Sequence, residues 1–172
     1  VITVLLIMIS SCSHNSIIEY SEPPAIYFSD YSDTNDSILY TFSVTQKEYD
    51  TIFLEVRLLG AMLEKELKFK VTVNNSSTAI ENEDFEQLED YYYFPVNSST
   101  KSLPIYIKNS DKLKQETVTL NLSLTSTDEL SLGYLDRVNA RIIYTDQIIK
   151  PPYWDKFFRS EEHTSELQSH HD

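Results

Sequence analysis

The sequence is poor in the residues that build cross-links and most catalytic sites. Its 172 residues include one cysteine, Cys12, and four histidines. A disulfide within the chain is excluded, because that bond joins two cysteines. Residues 15–162 contain no histidine at all. Nucleophilic sites that pair serine or cysteine with histidine, and zinc or iron sites with histidine ligands, are therefore excluded from that stretch.

The chain is also poor in positive charge. Lysine and arginine number 14 against 27 aspartates and glutamates, which gives a net charge of −13. Nucleic acids are bound by clustered lysine and arginine, so no nucleic-acid partner is expected. Paired carboxylates, as in the active sites of glycoside hydrolases, remain available, but the acidic residues lie in turns and form no recognisable catalytic motif. The sequence therefore predicts a protein that is not an enzyme.

The apolar run at the start of the chain, residues 1–9, is shorter than the roughly 20 residues that a membrane-spanning helix needs. It leads into Ser10, Ser11 and Cys12, and an apolar region followed by small residues is typical of a secretory signal. Because the region ends on cysteine, it resembles the lipobox of bacterial lipoproteins, which implies that Cys12 is acylated and attaches the chain to a membrane. We expect residues 1–11 to be a signal peptide that lacks its start, and residues 12–24 to be a lipidated tether.

The other end of the chain has an unusual sequence. Residues 159–169 can be encoded without change by a common short-read sequencing adapter, so we expect residues 159–172 to be a translated artefact. The alternative is a natural acidic tail, in which case its three histidines would be candidates for metal binding or histidine-dependent catalysis. Residues 150–158 are expected to begin a linker or a lost C-terminal part.

Apolar and polar residues alternate in short runs between the tether and this tail. The clearest run is 66–73, where Leu67, Phe69 and Val71 alternate with charged or polar residues. Similar patterns occupy residues 37–44, 51–58, 117–124 and 137–144. Such alternation is typical of strands with one buried and one wet face. Residues 25–149 are therefore predicted to form an all-β domain, an immunoglobulin-like antiparallel β-sandwich of about seven to eight strands without a disulfide.

Aromatic residues supply the first candidate site. In the run of residues 91–94, Tyr91 and Tyr93 share one face of a strand, while Tyr92 and Phe94 share the other. One face must be buried, so Tyr91 and Tyr93 are candidates for an exposed platform that binds sugar rings. Trp154 is a third ligand-binding candidate. The alternative is that these rings pack against neighbouring strands or another part of the chain.

Acidic residues supply the second candidate site. Glu81, Glu83 and Asp84 lie in a polar connection that resembles part of the calcium-binding sandwich repeats of exchanger type. The resemblance implies calcium held by carboxylate oxygens, a ligand set that this ion prefers. Glu89, Asp90 or Asp128 would complete the set. The alternative is a solvated acidic loop, and no cofactor other than calcium is expected.

The order of several short motifs resembles a family of Bacteroidota surface lipoproteins known as domain of unknown function 4843. The matching residues are Cys12, Tyr27-Phe28, Asp36-Ser37-Ile38, Val56-Arg57-Leu58-Leu59-Gly60, the segment from Thr78-Ala79 to Asp84-Phe85, and Lys150-Pro151 to Trp154. Chains of this family continue beyond the last motif. The family is similar in setting to lipoproteins encoded beside outer-membrane glycan transporters, which implies a role in capturing glycan or another nutrient.

These observations predict a lipid-anchored binding or accessory module. We expect it on the outer membrane, held through acylated Cys12, facing the exterior, and assisting glycan or nutrient capture beside an outer-membrane transporter. The alternative is a structural or adhesion module of a surface complex with no small-molecule ligand.

Overall fold

A computed structural model of the protein describes residues 23–29 and 37–148. Nine strands lie in these ranges, with one single-turn helix, α1 (Phe42–Thr45), and two 3-10 turns, Asp111–Lys114 and Leu135–Arg137. The strands are β1 (Ala25–Phe28), β2 (Ser37–Thr41), β3 (Tyr49–Leu59), β4 (Leu67–Val73), β5 (Tyr92–Phe94), β6 (Thr100–Lys108), β7 (Val118–Thr125), β8 (Ser131–Leu132) and β9 (Asn139–Thr145). No helix within these ranges is long and apolar enough to cross a membrane. The predicted signal peptide, Cys12, Trp154 and the expected artefact lie outside the described residues.

Two sheets pack face to face. The four-stranded sheet has the order β6-β3-β1-β8, and the five-stranded sheet has the order β2-β9-β7-β4-β5. The all-β sandwich predicted from the alternation is confirmed. Most neighbouring strands are antiparallel, but β1 pairs with β8 and β2 pairs with β9 in parallel. The two-residue strand β8 was not predicted, because two residues are too few to show an alternation.

The core consists of the inward side chains of the alternating runs. On β3 these are Ile52, Leu54 and Val56, and on β4 they are Leu67 and Phe69, all buried. Burial of each side chain of this kind contributes about 1.5–3 kcal/mol to the stability of the fold, relative to leaving it exposed. The outward residues of the same strands remain in contact with water, so the period-two pattern fixes which face of each sheet is available for binding.

The prediction drawn from the alternation in residues 37–44 was wrong at the end of that run. Alternation predicts that Val44 points inward, but its side chain is 79% exposed. Strand β2 ends at Thr41, whose side-chain oxygen accepts a hydrogen bond from the Ser43 amide at 3.2 Å and caps α1. A local side-chain bond of this kind competes with strand pairing. Gln46 then ends the turn in the left-handed region, with φ at 52°.

Candidate functional site

The outward face of the five-stranded sheet carries a continuous set of polar and aromatic side chains. The strand registers place Lys68 opposite Tyr93, Thr72 opposite Ser123, and Asn121 opposite Arg141. Residues directly opposite in an antiparallel pair share one face of the sheet. We call this surface the outer face of the five-stranded sheet. It combines an aromatic edge on β5 with a polar groove over β7 and β9.

The aromatic edge is formed by Tyr93 on β5 and by Tyr91, which directly precedes β5; the two side chains are 57% and 46% exposed. The alternate residues point inward: Phe94 is fully buried, and Tyr92 is half-buried. The ring centroid of Phe69 lies 5.7 Å from that of Tyr92 and 6.4 Å from that of Phe94. This aromatic packing supports a strand of only three residues, so that the two outward tyrosines are displayed on a fixed base.

Two lysines of β4 lie beside the aromatic edge. The Nζ atom of Lys68 is 5.1 Å from the ring centroid of Tyr91, and the Nζ atom of Lys70 is 5.9 Å from it. Both distances are within the range in which an ammonium group is attracted to an aromatic ring. The edge therefore offers flat apolar rings next to positive charge.

The polar groove has a volume of about 420 Å³. Its lining consists of Asn74, Ser76, Asn121, Asp136, Asn139, Ala140 and Arg141. Asn121 is central, because its Nδ2 atom donates to the Ser76 hydroxyl at 3.0 Å and its Oδ1 atom accepts from Arg141 Nε at 3.2 Å. The remaining guanidinium donors of Arg141 and the Asp136 carboxylate take part in none of the ion pairs found among the described residues.

The groove was not predicted from the sequence. Its residues come from three separated stretches, 74–76, 121 and 136–141, which the sheet brings together. Asparagine and serine after a strand are also the usual turn formers. The available signal was the run of polar residues at alternate positions of β7, but every solvent-facing strand shows such a run.

The predicted calcium residues do not form one cluster. Glu81 and Glu83 are exposed, whereas Asp84 is fully buried. Glu89, Asp90 and Asp128 are exposed as well. Within the described part of the chain, no group of three or more histidine, cysteine, aspartate or glutamate side chains is placed to hold a metal ion.

Protein donors already surround the Asp84 carboxylate. It accepts hydrogen bonds from the Ile80 amide and the Ser110 hydroxyl, each at 2.7 Å, and Lys112 Nζ lies 2.7 Å away.

Partial burial would lower the pKa of Lys112, but the hydrogen bonds to Asp84 and Glu83 outweigh it and raise that pKa. The Tyr144 hydroxyl donates to the Asp84 carbonyl at 2.9 Å, and burial followed by the Asp84 charge raises the pKa of Tyr144. Asp84 therefore joins the loop to the 3-10 turn at Asp111–Lys114 and to β9.

A second aromatic surface lies on the outward face of the four-stranded sheet. Phe53 on β3 is 64% exposed, and Tyr49 and Tyr106 are exposed beside it. Tyr106 lies opposite Thr51, so it is diagonal to both Tyr49 and Phe53. These residues were not predicted from the sequence, because single aromatic residues in an alternating strand give no local signal of their own.

The fold places the protein among β-sandwiches, and a family model gives its family. The model for domain of unknown function DUF4843 matches residues 20–164, so the chain belongs to that family. This confirms the domain of unknown function predicted from the order of the motifs. No curated protein matches the sequence.

Solved structures show the same fold in distant proteins. The Calx CBD1 domain in its apo form has a TM-score of 0.54 at 14% identity, over 73% of this chain and 99% of that one. The calcium binding domain CBD12 of CALX1.1 gives 0.51 at 12%, over 70% of this chain and 43% of that one. A two-domain protein of unknown function from Bacteroides fragilis has a TM-score of 0.50 at 10% identity, over 72% of this chain and 45% of that one. At these identities the likeness extends to the fold alone.

Proposed function

We propose that the protein is a non-catalytic binding module that holds a glycan on the outer face of the five-stranded sheet. The observation that carries this proposal is the presence of two exposed tyrosines, Tyr91 and Tyr93, on the same face as a polar groove. A tyrosine ring offers a flat apolar surface and a hydroxyl, which together suit the mixed apolar and polar faces of a sugar.

The groove supplies the hydrogen bonds that a polyhydroxylated ligand requires. Asn74 and Asn139 carry both donors and acceptors, Arg141 carries donors only, and Asp136 carries acceptors only. Sugar hydroxyls both donate and accept, so each of these side chains has a complementary partner on a glycan. The Oδ1 atoms of Asn74 and Asn139 already accept hydrogen bonds from the Ser76 and Ser123 hydroxyls, at 3.1 and 2.6 Å. An apolar ligand would leave the Asp136 carboxylate and the remaining guanidinium donors of Arg141 unpaired, which costs about 1–3 kcal/mol for each buried group.

The separation of the two parts suits an extended ligand. Strand β4 lies between β5 and β7, so the aromatic edge is two strand spacings, or roughly 10 Å, from β7. Lys70, beside Tyr91, lies opposite Thr125, and Asn121 is four residues further along β7, or roughly 13 Å. An oligosaccharide can touch both parts, whereas a single sugar can touch only one.

The proposal includes no cofactor. A calcium ion at Glu81, Glu83 and Asp84 would have to displace the Lys112 ammonium group, which lies 2.7 Å from Asp84 and 3.2 Å from Glu83. It would also have to compete with the Ser110 hydroxyl for the same carboxylate. Protein groups therefore already fulfil the role that the ion would have in this loop.

A second candidate function is a structural or adhesion module. The exposed rings of Tyr49, Phe53 and Tyr106 favour it, because they form a flat apolar surface on the four-stranded sheet. In that case the partner would be another protein of a surface complex, and the five-stranded sheet would have no small-molecule ligand.

The test of the glycan proposal is the double variant Tyr91→Ala/Tyr93→Ala in the full chain. Loss of two stacking rings is expected to cost about 2 kcal/mol, or about thirtyfold in affinity. The measurement is a titration against two charged and two neutral polymers: polygalacturonate, dextran sulfate, methyl-esterified polygalacturonate and dextran. We expect the unchanged chain to bind at least one of these, and the double variant to bind it much more weakly.

Phe53→Ala is the matched control, because it removes an exposed ring from the other sheet. We expect it to leave the affinity unchanged. Equal binding by the tyrosine variant and the unchanged chain, or no binding to any of the four polymers, would contradict the proposal. A loss of binding in Phe53→Ala alone would also contradict it, because the glycan would then bind on the four-stranded sheet.

We also propose that acylated Cys12 holds the module on the exterior of the outer membrane, beside a transporter that receives the glycan. One acyl chain gives only marginal membrane binding, whereas two or more hold a protein stably. Cys12→Ala is therefore expected to move the protein from the membrane fraction to the soluble fraction of its host cell. Fractionation followed by immunoblotting measures this, with Ser13→Ala as the control that keeps the lipidated residue. Retention of the Cys12 variant in the membrane fraction would refute the anchor.

A further inference from the structure

Two ammonium groups on the outer face of the five-stranded sheet have no carboxylate partner. Neither Lys68 nor Lys70 takes part in an ion pair within residues 23–29 and 37–148. Five other cationic side chains do so, namely Lys47, Arg57, Lys65, Lys112 and Lys114, whereas Lys101, Lys108 and Arg141 also take part in none of these pairs. The contact that the structure gives both Nζ atoms is the ring of Tyr91, at 5.1 and 5.9 Å. A chain with a net charge of −13 thus keeps two positive charges unneutralised beside its aromatic edge.

Nearby carboxylates do not neutralise these lysines. Glu129 lies next to β4, but its carboxylate accepts from the Lys68 backbone amide at 3.3 Å and pairs with Lys65 at 3.5 Å. Glu66 is close to the lysines in sequence, and Asp90 directly precedes Tyr91. Both side chains are exposed, and neither forms an ion pair in the described part of the chain. The ammonium groups of Lys68 and Lys70 therefore remain available for an anionic ligand.

We infer that the glycan bound on this face is acidic, with carboxylate or sulfate groups that pair with Lys68 and Lys70 while its sugar rings stack on Tyr91 and Tyr93. This inference rests on the proposed function and names its ligand class. A sugar stacked on Tyr91 lies within reach of two flexible lysine side chains, whose ammonium groups donate three hydrogen bonds each. Hydrogen bonds between charged groups are stronger than neutral ones, so the pair favours an anionic sugar over its neutral counterpart.

Because the protein is negatively charged overall, a preference for acidic glycans would indicate positive charge at the binding site itself. A net charge of −13 repels a polyanion at long range, so binding of a polyanion requires local positive charge at the site. Salt screens interactions between exposed charges over about 10 Å at 0.1 M. An acidic glycan held by Lys68 and Lys70 is therefore released as salt concentration rises, whereas a neutral glycan held by stacking alone is less affected.

The test compares polymers that share a backbone but differ in charge. Polygalacturonate is compared with its methyl ester, and dextran sulfate with dextran, so that the two pairs distinguish a carboxylate from a sulfate ligand. We expect the full chain to bind the charged member of at least one pair about tenfold more tightly at low salt. The double variant Lys68→Gln/Lys70→Gln is expected to lose this preference.

Lys47→Gln/Lys114→Gln is the matched control, because it removes the same charge from sites outside this face. We expect the control to keep the preference. Equal affinity for charged and neutral members, with no effect of the Lys68 and Lys70 changes, would overturn the inference while leaving glycan binding intact. If the control variant loses the preference for the charged polymer to the same extent, the inference is also overturned, since the net charge of the protein would then cause that preference. If the Tyr91→Ala/Tyr93→Ala variant binds as well as the unchanged chain, the proposed function itself fails.

Discussion

Replacing Asp84 with alanine is expected to lower the free energy of unfolding by about 3 kcal/mol. The side chain is fully buried, and its carboxylate is the shared acceptor for the Ile80 amide, the Ser110 hydroxyl and the Lys112 ammonium group. Alanine would leave the Ile80 amide and the Ser110 hydroxyl without this acceptor, and would leave Lys112 with the exposed Glu83 as its partner. Removal of one partner of a buried ion pair is strongly destabilising, because the groups that remain lose their acceptor at a site largely shielded from water. Urea unfolding followed by circular dichroism measures the change.

Glu83→Gln is the matched control for Asp84→Ala. Glu83 pairs with the same lysine at 3.2 Å, but its side chain is exposed to solvent. Exposed ion pairs contribute little, so we expect a change within about 0.5 kcal/mol. If both variants lose the same stability, or if Asp84→Ala loses less than about 1 kcal/mol, the buried pair does not hold this loop to the sandwich.

Replacing Phe69 with alanine is expected to cost about 4 kcal/mol, because the change leaves a cavity under β5. The Phe69 side chain is fully buried and packs against Tyr92 and Phe94. Since these contacts support the strand that displays Tyr91 and Tyr93, glycan binding should weaken together with stability. The measurement is urea unfolding, with the binding titration repeated on the folded fraction.

Phe53→Ala again provides the control, since it removes the same side chain from an exposed position of β3. We expect a change in unfolding free energy within about 0.5 kcal/mol. A loss of more than about 2 kcal/mol in Phe53→Ala would show that the four-stranded sheet depends on this ring for packing. A loss of less than about 1 kcal/mol in Phe69→Ala would contradict the proposed support of β5.

The sequence predicted the sandwich because its longest strands carry a complete alternation. Leu67, Phe69 and Val71 on β4 point inward as the pattern requires, and the same holds for β3 and β7. Val44 broke the pattern, since the Thr41 cap turned the chain into α1 at the end of β2. Alternation reports which face is buried, but it does not report where a local hydrogen bond ends a strand.

Tertiary contacts explain what the sequence could not predict. The acidic connection includes a buried residue, Asp84, because Lys112 comes from a turn 28 residues later in the chain and supplies the opposite charge. The polar groove likewise depends on the pairing of Asn121 with Arg141 across two strands. Tyr91 and Tyr93 were selected from sequence because four consecutive aromatic residues are unusual, and the structure places both at an exposed edge.

The central claim is that a glycan binds on the outer face of the five-stranded sheet. The most direct test is to titrate the isotope-labelled full chain with oligogalacturonate and, separately, with a neutral cello-oligosaccharide, and to record the backbone amide spectrum by NMR. We predict shifts that saturate with ligand, centre on residues 68–70 and 91–93, and extend to Asn121 and Arg141. Shifts centred on Phe53 and Tyr106, or spectra unchanged by both ligands, would contradict the central claim.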